Sequence, residues 1–239
     1  MAASTVAPFI SMIDQAIFSN ASGKESMGQS IRNSFKALIT SPLKYTQRPA
    51  FRWILFVYGG TYVVANTVQT YCNREHIPWQ IPKFIGSAFA NVSLSVLKDR
   101  AFSRMFGTSA PRSVPPATLL LFATRDSMTI AGSFNLPSKV ASDYLQPRWG
   151  MNESSALTAA QLVIPCAVQI FSTPLHLLGS DLYNNPANTS GQRVAFIARE
   201  YAKTCAARCG RIFPAFSIGG VTNTALRKQS NRMLTNLSS

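Results

Sequence analysis

Arg125 and Asp126 are adjacent residues of opposite charge in a stretch that is otherwise uncharged from Ser113 to Ser138. The stretch contains TLLLFATRDSMTIAGSF and is long enough to cross a bilayer as a helix, since about 20 helical residues span the hydrocarbon core. A charge at the centre of a membrane helix costs about 2.5–3.5 kcal/mol on insertion scales, so a functional or pairing role is expected for it. This pair is therefore the first candidate for chemistry in the chain.

Three interpretations of the pair stay open. Adjacent residues of a helix point about 100° apart, so each charge is expected to seek a partner elsewhere. The two charges could line a solute cavity, or the span could end at Thr124 and leave both at an interface. They could also lock helices together, which we favour, and the candidate partners are then Asn66, Gln69, Asn91 and His176.

The remaining reactive residues form no recognisable catalytic or metal-binding set. The four cysteines contain no CxxC pair, and His76 and His176 complete no zinc-ligand pattern. Two histidines and nine carboxylates leave little for acid–base catalysis. Neither GGTY nor IGGV has the lysine and the spacing of a phosphate-binding loop. We therefore predict no metal, no cofactor and no enzymatic activity.

Charged residues are scarce and unevenly distributed along the chain. They make up 13% of 239 residues, with 23 Lys and Arg against 9 Asp and Glu, a net charge of +14. Soluble domains carry about 25% charged residues, and nucleic-acid-binding proteins cluster many cations on one face. Here the cations instead flank long uncharged stretches. This pattern predicts an all-α, multi-pass transmembrane helical bundle with no nucleic-acid partner, whereas a soluble basic protein would have to bury every apolar run in a core.

Six stretches are predicted as membrane helices: 27–43, 53–73, 84–97, 113–138, 154–180 and 212–226. The clearest is 53–73, which has 21 uncharged residues between Arg52 and Arg74. Residues 192–211 combine an apolar stripe with cations and are predicted to lie on the membrane surface as an amphipathic helix. The cations expected there to bind lipid headgroups are Arg193, Arg199, Lys203, Arg208 and Arg211.

Three predicted helix ends resemble one another: LITSPLKYTQR (38–48), SLSVLKDRAFSR (93–104) and FSTPLHLLGSDLY (171–183). Each closes on Ser or Thr, followed by Pro or Val, then Leu, then a basic residue. This threefold pattern resembles the mitochondrial carrier family, whose members have three repeats of two membrane helices joined by a matrix-side amphipathic helix. The resemblance implies a carrier-like bundle of about six membrane helices, with Pro42 and Pro174 as kink prolines.

The residues at the gate positions of that family differ in this chain. In the family, an acidic residue in each repeat motif pairs with a basic residue of the next repeat. The three acidic positions correspond to Lys44, Lys98 and His176, and their partner positions to Gln47, Ala101 and Gly179. These residues cannot form a ring of salt bridges, although a transporter that alternates between two states needs contacts that hold each of them.

Within this resemblance, the missing gate favours a structural role over transport. We predict an accessory subunit of a respiratory-chain or ATP synthase complex in the mitochondrial inner membrane, in contact with other membrane subunits and with anionic lipids such as cardiolipin. The alternative is a carrier-type mitochondrial anion transporter with a site rebuilt around Arg125 and Asp126. The predicted organisation is an N-terminal arm at 1–25, one transmembrane domain of three degenerate repeats at 26–230, and a tail at 231–239.

Overall fold

The computed structural model describes residues 2–108 and 113–213, and every regular element within these ranges is helical. The all-α prediction is therefore confirmed for this part of the chain. A π-helical turn, Ala141–Leu145, joins the sixth helix to the seventh. The helices are α1 (Ala2–Ala21), α2 (Met27–Thr40), α3 (Pro42–Thr46), α4 (Pro49–Arg74), α5 (Gln80–Phe106), α6 (Pro116–Val140), α7 (Gln146–Trp149), α8 (Glu153–Asn184) and α9 (Ser190–Phe213).

The first helix, α1, lies inside the bundle and contacts α2, α4, α5, α8 and α9. Val6 and Ile10 are completely buried, and Asp14 and Phe18 continue the same face at four-residue spacing. Residues 2–21 therefore form a buried helix rather than the predicted N-terminal arm. A face of this kind is buried because each apolar side chain removed from water contributes about 1.5–3 kcal/mol.

An aromatic cluster holds α1 against the long helices that pack around it. The ring centroid of Phe18 lies 5.4 Å from that of Phe102 on α5, 6.1 Å from that of Phe122 on α6 and 5.0 Å from that of His176 on α8. All three contacts are edge-to-face, the arrangement that aromatic rings prefer. Gly179 permits the close approach of α8 to α6, because a Cβ there would lie 2.8 Å from Cε1 of Phe122.

Local sequence signals set where several helices begin. The side chain of Asn152 caps α8 by accepting a hydrogen bond of 2.8 Å from the backbone N–H of Ser155. Pro42, predicted as a kink proline, begins the separate short helix α3 after Ser41, so it lies at the break between α2 and α3. Pro174, in contrast, lies inside the continuous helix α8.

The predicted membrane helices at 53–73, 84–97, 113–138 and 154–180 correspond to α4, α5, α6 and α8. The prediction at 212–226 falls almost entirely outside the described residues. Among the described helices, only α8 is both long and apolar enough to cross a membrane by composition, with a mean hydropathy of 1.5 over its best 18 residues. A bundle of six spans is therefore not confirmed.

Candidate functional site

Arg125 is the centre of a buried charge network that joins α5, α6 and α8. Its Nε donates to Oδ1 of Asp126 at 3.0 Å, and its Nη2 donates to Oδ2 of the same carboxylate at 2.8 Å. Nη2 also donates to Asp99 on α5. Nη1 donates to Nδ1 of His176 at 2.7 Å, which requires an unprotonated Nδ1 because a guanidinium can only donate.

Arg125 and Asp126 therefore pair with each other, which was not expected of neighbouring helical residues, and Arg125 also has the expected partners on other helices. The arginine side chain is long enough to fold back along its own helix and form a two-point contact with the adjacent carboxylate. The helix does not end at Thr124, since α6 continues to Val140, and Arg125 is only 2% exposed. Of the partners proposed for Arg125 from the sequence, His176 is the one that contacts it in the structure.

A second group of charges extends the network to α1 and α9. The carboxylate of Asp14 accepts from Nζ of Lys98 at 2.6 Å and from Nη1 of Arg211 at 2.9 Å. Lys98 also lies 2.9 Å from Asp99, which connects this group to Arg125. Three aspartates on three helices are thus neutralised by cations that approach from α5, α6 and α9.

A cavity of about 360 Å³ lies beside this network, and residues of α1, α4, α5, α6, α8 and α9 line it. Four of its lining residues are charged: Asp14, Lys98, Asp126 and Arg211. The rest of the wall combines apolar and aromatic side chains with hydroxyls and two amides, Asn91 and Gln169. Apolar walls with a few placed polar groups, in a volume of about 300–1,000 Å³, are typical of small-molecule sites.

The candidate residues from the sequence divide between the cavity and its surroundings. Asp126, Lys98 and Asn91 line the cavity, and Nδ2 of Asn91 donates to Oγ1 of Thr61 at 3.3 Å. Arg125, His176 and Asn66 are not among the lining residues of the cavity. Lys44 is exposed on the short helix α3, away from the network to which Lys98 and His176 contribute.

The basic residues of α9 do not share one outward face. Arg208 is buried and donates to Oγ of Ser172 at 3.2 Å, and Arg211 points to Asp14, so the geometry does not present these two to a lipid surface. Arg193 pairs with Asp181 at 2.5 Å.

Arg199 and Lys203 are the more exposed cations of α9, and both pair with Glu200, at 3.0 and 2.6 Å. Burial raises the pKa of the Glu200 carboxyl, but hydrogen bonds from Lys203, Asn20 and Arg199 outweigh it and hold this pKa below its ordinary value.

Sequence reasoning missed Asp14, Asp99, Gln169 and the inward direction of Arg211. One signal was available for Asp14, since it continues the four-residue spacing of Val6 and Ile10. Within the described part of the chain, no three His, Cys, Asp or Glu side chains are grouped so that they could hold a metal ion. The arrangement is suited to binding a small polar molecule that carries both signs of charge.

Comparisons with known proteins identify the family. Residues 1–231 match a family described as "Probable citrulline exporter". Neither the curated proteins nor the solved structures contain a match. The family match overturns the resemblance to mitochondrial carriers, and with it the predicted accessory subunit and the carrier-type anion transporter. Since the match covers nearly the whole chain, the protein belongs to the family of probable citrulline exporters.

Proposed function

We propose that this protein is a membrane transporter that exports a small amino acid through the cavity, with citrulline as the first candidate substrate. The observation that carries the proposal is the presence of two carboxylates and two cations in one cavity wall, at Asp14, Asp126, Lys98 and Arg211. An amino acid carries one charge of each sign at neutral pH. Charge-assisted hydrogen bonds to both ends would fix its orientation.

The side chain of citrulline ends in a neutral ureido group, which both donates and accepts hydrogen bonds. The cavity offers matching groups in Asn91, Gln169 and Thr129. Nε2 of Gln169 donates to the backbone carbonyl of Pro165 at 3.0 Å, so this amide is held in place before any substrate enters. A site held in advance loses less free energy on ordering when the ligand binds.

The distribution of polarity supports a membrane location. Large apolar side chains face outwards on each of the four long helices α4, α5, α6 and α8, where Val63 is 64% exposed, Phe89 76%, Leu120 68% and Phe171 69%. The charged residues Lys98, Asp99, Arg125 and Asp126 of the same bundle are buried. Soluble proteins almost never bury such residues while exposing apolar ones in this way.

We propose that α4, α5, α6 and α8 cross the membrane. The shortest of them, α6, has 25 residues and is about 37 Å long at 1.5 Å per residue, against about 30 Å of hydrocarbon. Hydroxyl, amide and charged residues facing the cavity lower the mean hydropathy of α4, α5 and α6. Of these four helices, α8 is therefore the most apolar.

The family match is consistent with the coarser predictions of a membrane protein and a transport role, and the absence of enzymatic activity stays a prediction. Location in the mitochondrial inner membrane depended on the carrier resemblance and stays a prediction, to be tested by cell fractionation. Binding of anionic lipid by Arg199 and Lys203 and contact with other membrane subunits also stay predictions.

Citrulline efflux from proteoliposomes tests the proposed function. Labelled citrulline is trapped inside vesicles containing the purified protein, and its release is compared with release from vesicles without protein. Asn91→Leu removes a polar group from the cavity wall, whereas Asn66→Leu makes the same change at a position outside it. Loss of one hydrogen bond of about 0.5–1.5 kcal/mol predicts efflux reduced about two- to tenfold in Asn91→Leu.

Efflux above the protein-free level, reduced in Asn91→Leu and retained in Asn66→Leu, supports the proposal. Wild-type vesicles that release citrulline no faster than protein-free vesicles contradict it. Equal efflux rates in the two variants would indicate that citrulline does not pass through this cavity.

A further inference from the structure

The cavity wall contains a carboxylate site that the protein itself occupies. The carboxylate of Asp14 lies between Nζ of Lys98, at 2.6 Å, and Nη1 of Arg211, at 2.9 Å and 3.2 Å from its two oxygens. All three residues line the cavity. A carboxylate held by two cations beside an open volume marks the position where a carboxylate brought by a ligand would also be stabilised.

Resting on the proposed function, we propose that Arg211 binds the α-carboxylate of the substrate and that Asp14 holds this place until the substrate arrives. Substrate entry then exchanges the contact between Asp14 and Arg211 for one between the substrate and Arg211. Lys98 remains with Asp14, so the displaced aspartate stays paired.

Arg211 has the donors that this exchange needs. A guanidinium carries five N–H donors, and in the described part of the chain only Nη1 of Arg211 makes a hydrogen bond. Its side chain is 20% exposed, against 4% for Lys98 and 3% for Asp14. An incoming carboxylate can therefore reach Nε or Nη2 of Arg211 before the contact with Asp14 is broken.

Arg125 is the contrasting case. All three of its nitrogens are engaged, with Asp126, Asp99 and His176, and it does not line the cavity. Each nitrogen of this arginine is thus committed to another residue of the bundle. The two arginines therefore have different roles: Arg125 fixes helices to one another, and Arg211 is available to the substrate.

The exchange would also change how α1 is held. The contact between Asp14 and Arg211 is an ionic link between α1 and α9, and the hydrogen bond from Asn20 to Glu200, at 2.5 Å, joins the same two helices. A substrate carboxylate on Arg211 weakens the first link and leaves the second. A ligand shifts a conformational equilibrium only through contacts that differ between the states, and this exchange supplies such a difference.

The test compares citrulline with citrulline amide, which retains the ammonium and the ureido group but lacks the carboxylate. Affinities are measured by ligand-induced thermal stabilisation of the purified protein. Wild type should prefer citrulline. Arg211→Gln should weaken citrulline binding about 10- to 100-fold and leave amide binding within about threefold, as expected for loss of a charged hydrogen-bonding partner.

Three further variants complete the comparison. Arg211→Lys retains a cation for Asp14 and should lose part of the preference, which keeps the test available if Arg211→Gln does not fold. Asp14→Asn removes the competing carboxylate and should tighten citrulline binding. Arg104→Gln, at an exposed position near the end of α5, should match wild type.

A folded Arg211 variant that retains the wild-type preference for citrulline over its amide overturns the inference, even if citrulline is exported. Failure of wild type to export citrulline overturns the proposed function instead. In that case glutamine, leucine and arginine are compared with their amides. An Arg211-dependent preference for any of these acids still supports the carboxylate site, and equal affinities for every acid and its amide in wild type overturn it.

Discussion

Replacing Arg125 with methionine should destabilise the protein by removing the cation at the centre of the charge network. Methionine is about as long as the aliphatic part of arginine and has no charge, so the change removes the guanidinium and retains most of the apolar stem. Asp99 retains Lys98 at 2.9 Å. The carboxylate that loses its cation is Asp126, since in the described residues Arg125 is its salt-bridge partner.

Leaving one member of a buried ion pair alone costs about 3–5 kcal/mol, because the remaining charge stays out of water without compensation. This is a large part of the about 5–15 kcal/mol that stabilises a typical folded domain. Equilibrium unfolding of the purified protein in mild detergent, followed by circular dichroism, measures the loss. Arg104→Met, at an exposed position, is the matched control and should change stability by less than about 0.5 kcal/mol.

A second substitution separates the effect of the uncompensated Asp126 carboxylate from the other effects of losing Arg125. Adding Asp126→Asn to Arg125→Met removes the uncompensated carboxylate and should recover part of the lost stability, since replacing a whole buried pair is often neutral. An Arg125→Met protein within about 1 kcal/mol of wild type would refute this reasoning. A double variant less stable than Arg125→Met would refute it as well.

Three further predictions concern packing, capping and pH. Gly179→Ala should lower the free energy of unfolding by about 1–3 kcal/mol because its Cβ would meet Phe122. Gly28→Ala should be tolerated because no atom lies within 4 Å of the added Cβ, and thermal unfolding compares the two variants. Asn152→Ala should cost about 1 kcal/mol by removing the cap of α8, and Ser154→Ala, one residue into that helix, should not. The pKa of Glu200 is lower in the folded state than in the unfolded state. Glu200 therefore contributes to stability above about pH 4.3, and this contribution is lost as pH falls through the pKa of the folded state. The stability difference between wild type and Glu200→Gln should therefore shrink on acidification, and a pH-independent difference would contradict this.

The sequence identifies the helices of this protein better than the contacts between them. Long uncharged runs bounded by cations indicated α4, α6 and α8, since a helix that packs in a bundle or in a membrane carries apolar side chains along most of its length. Residues 1–25 were misassigned because their small and polar residues conceal a buried face, in which Val6, Ile10 and Phe18 recur at helical spacing.

The charge network could not be assembled from the sequence, because its members lie up to 197 residues apart. Local geometry even argued against the pairing of Arg125 with Asp126, which depends on how the arginine side chain folds back. A charge count was informative, however. With nine carboxylates among 23 cations, an aspartate inside an apolar run can be expected to have a buried cation as its partner.

The threefold pattern of helix ends is present in the sequence, but it led to the wrong family. Lys44 is exposed on a short helix, Lys98 is a member of the buried network, and His176 accepts a hydrogen bond from Arg125. The three supposedly equivalent positions therefore have three different environments. Similar short motifs carry little weight when their residues do not share a structural role.

Citrulline efflux through a deliberately filled cavity is the most direct test that transport uses this site. Ala88 on α5 lines the cavity, and Ala131 on α6 is exposed beside the lining residue Ile130. In proteoliposomes, Ala88→Trp should abolish citrulline efflux because the indole occupies the volume, whereas Ala131→Trp should retain it. Wild-type efflux through folded Ala88→Trp would contradict transport through the cavity.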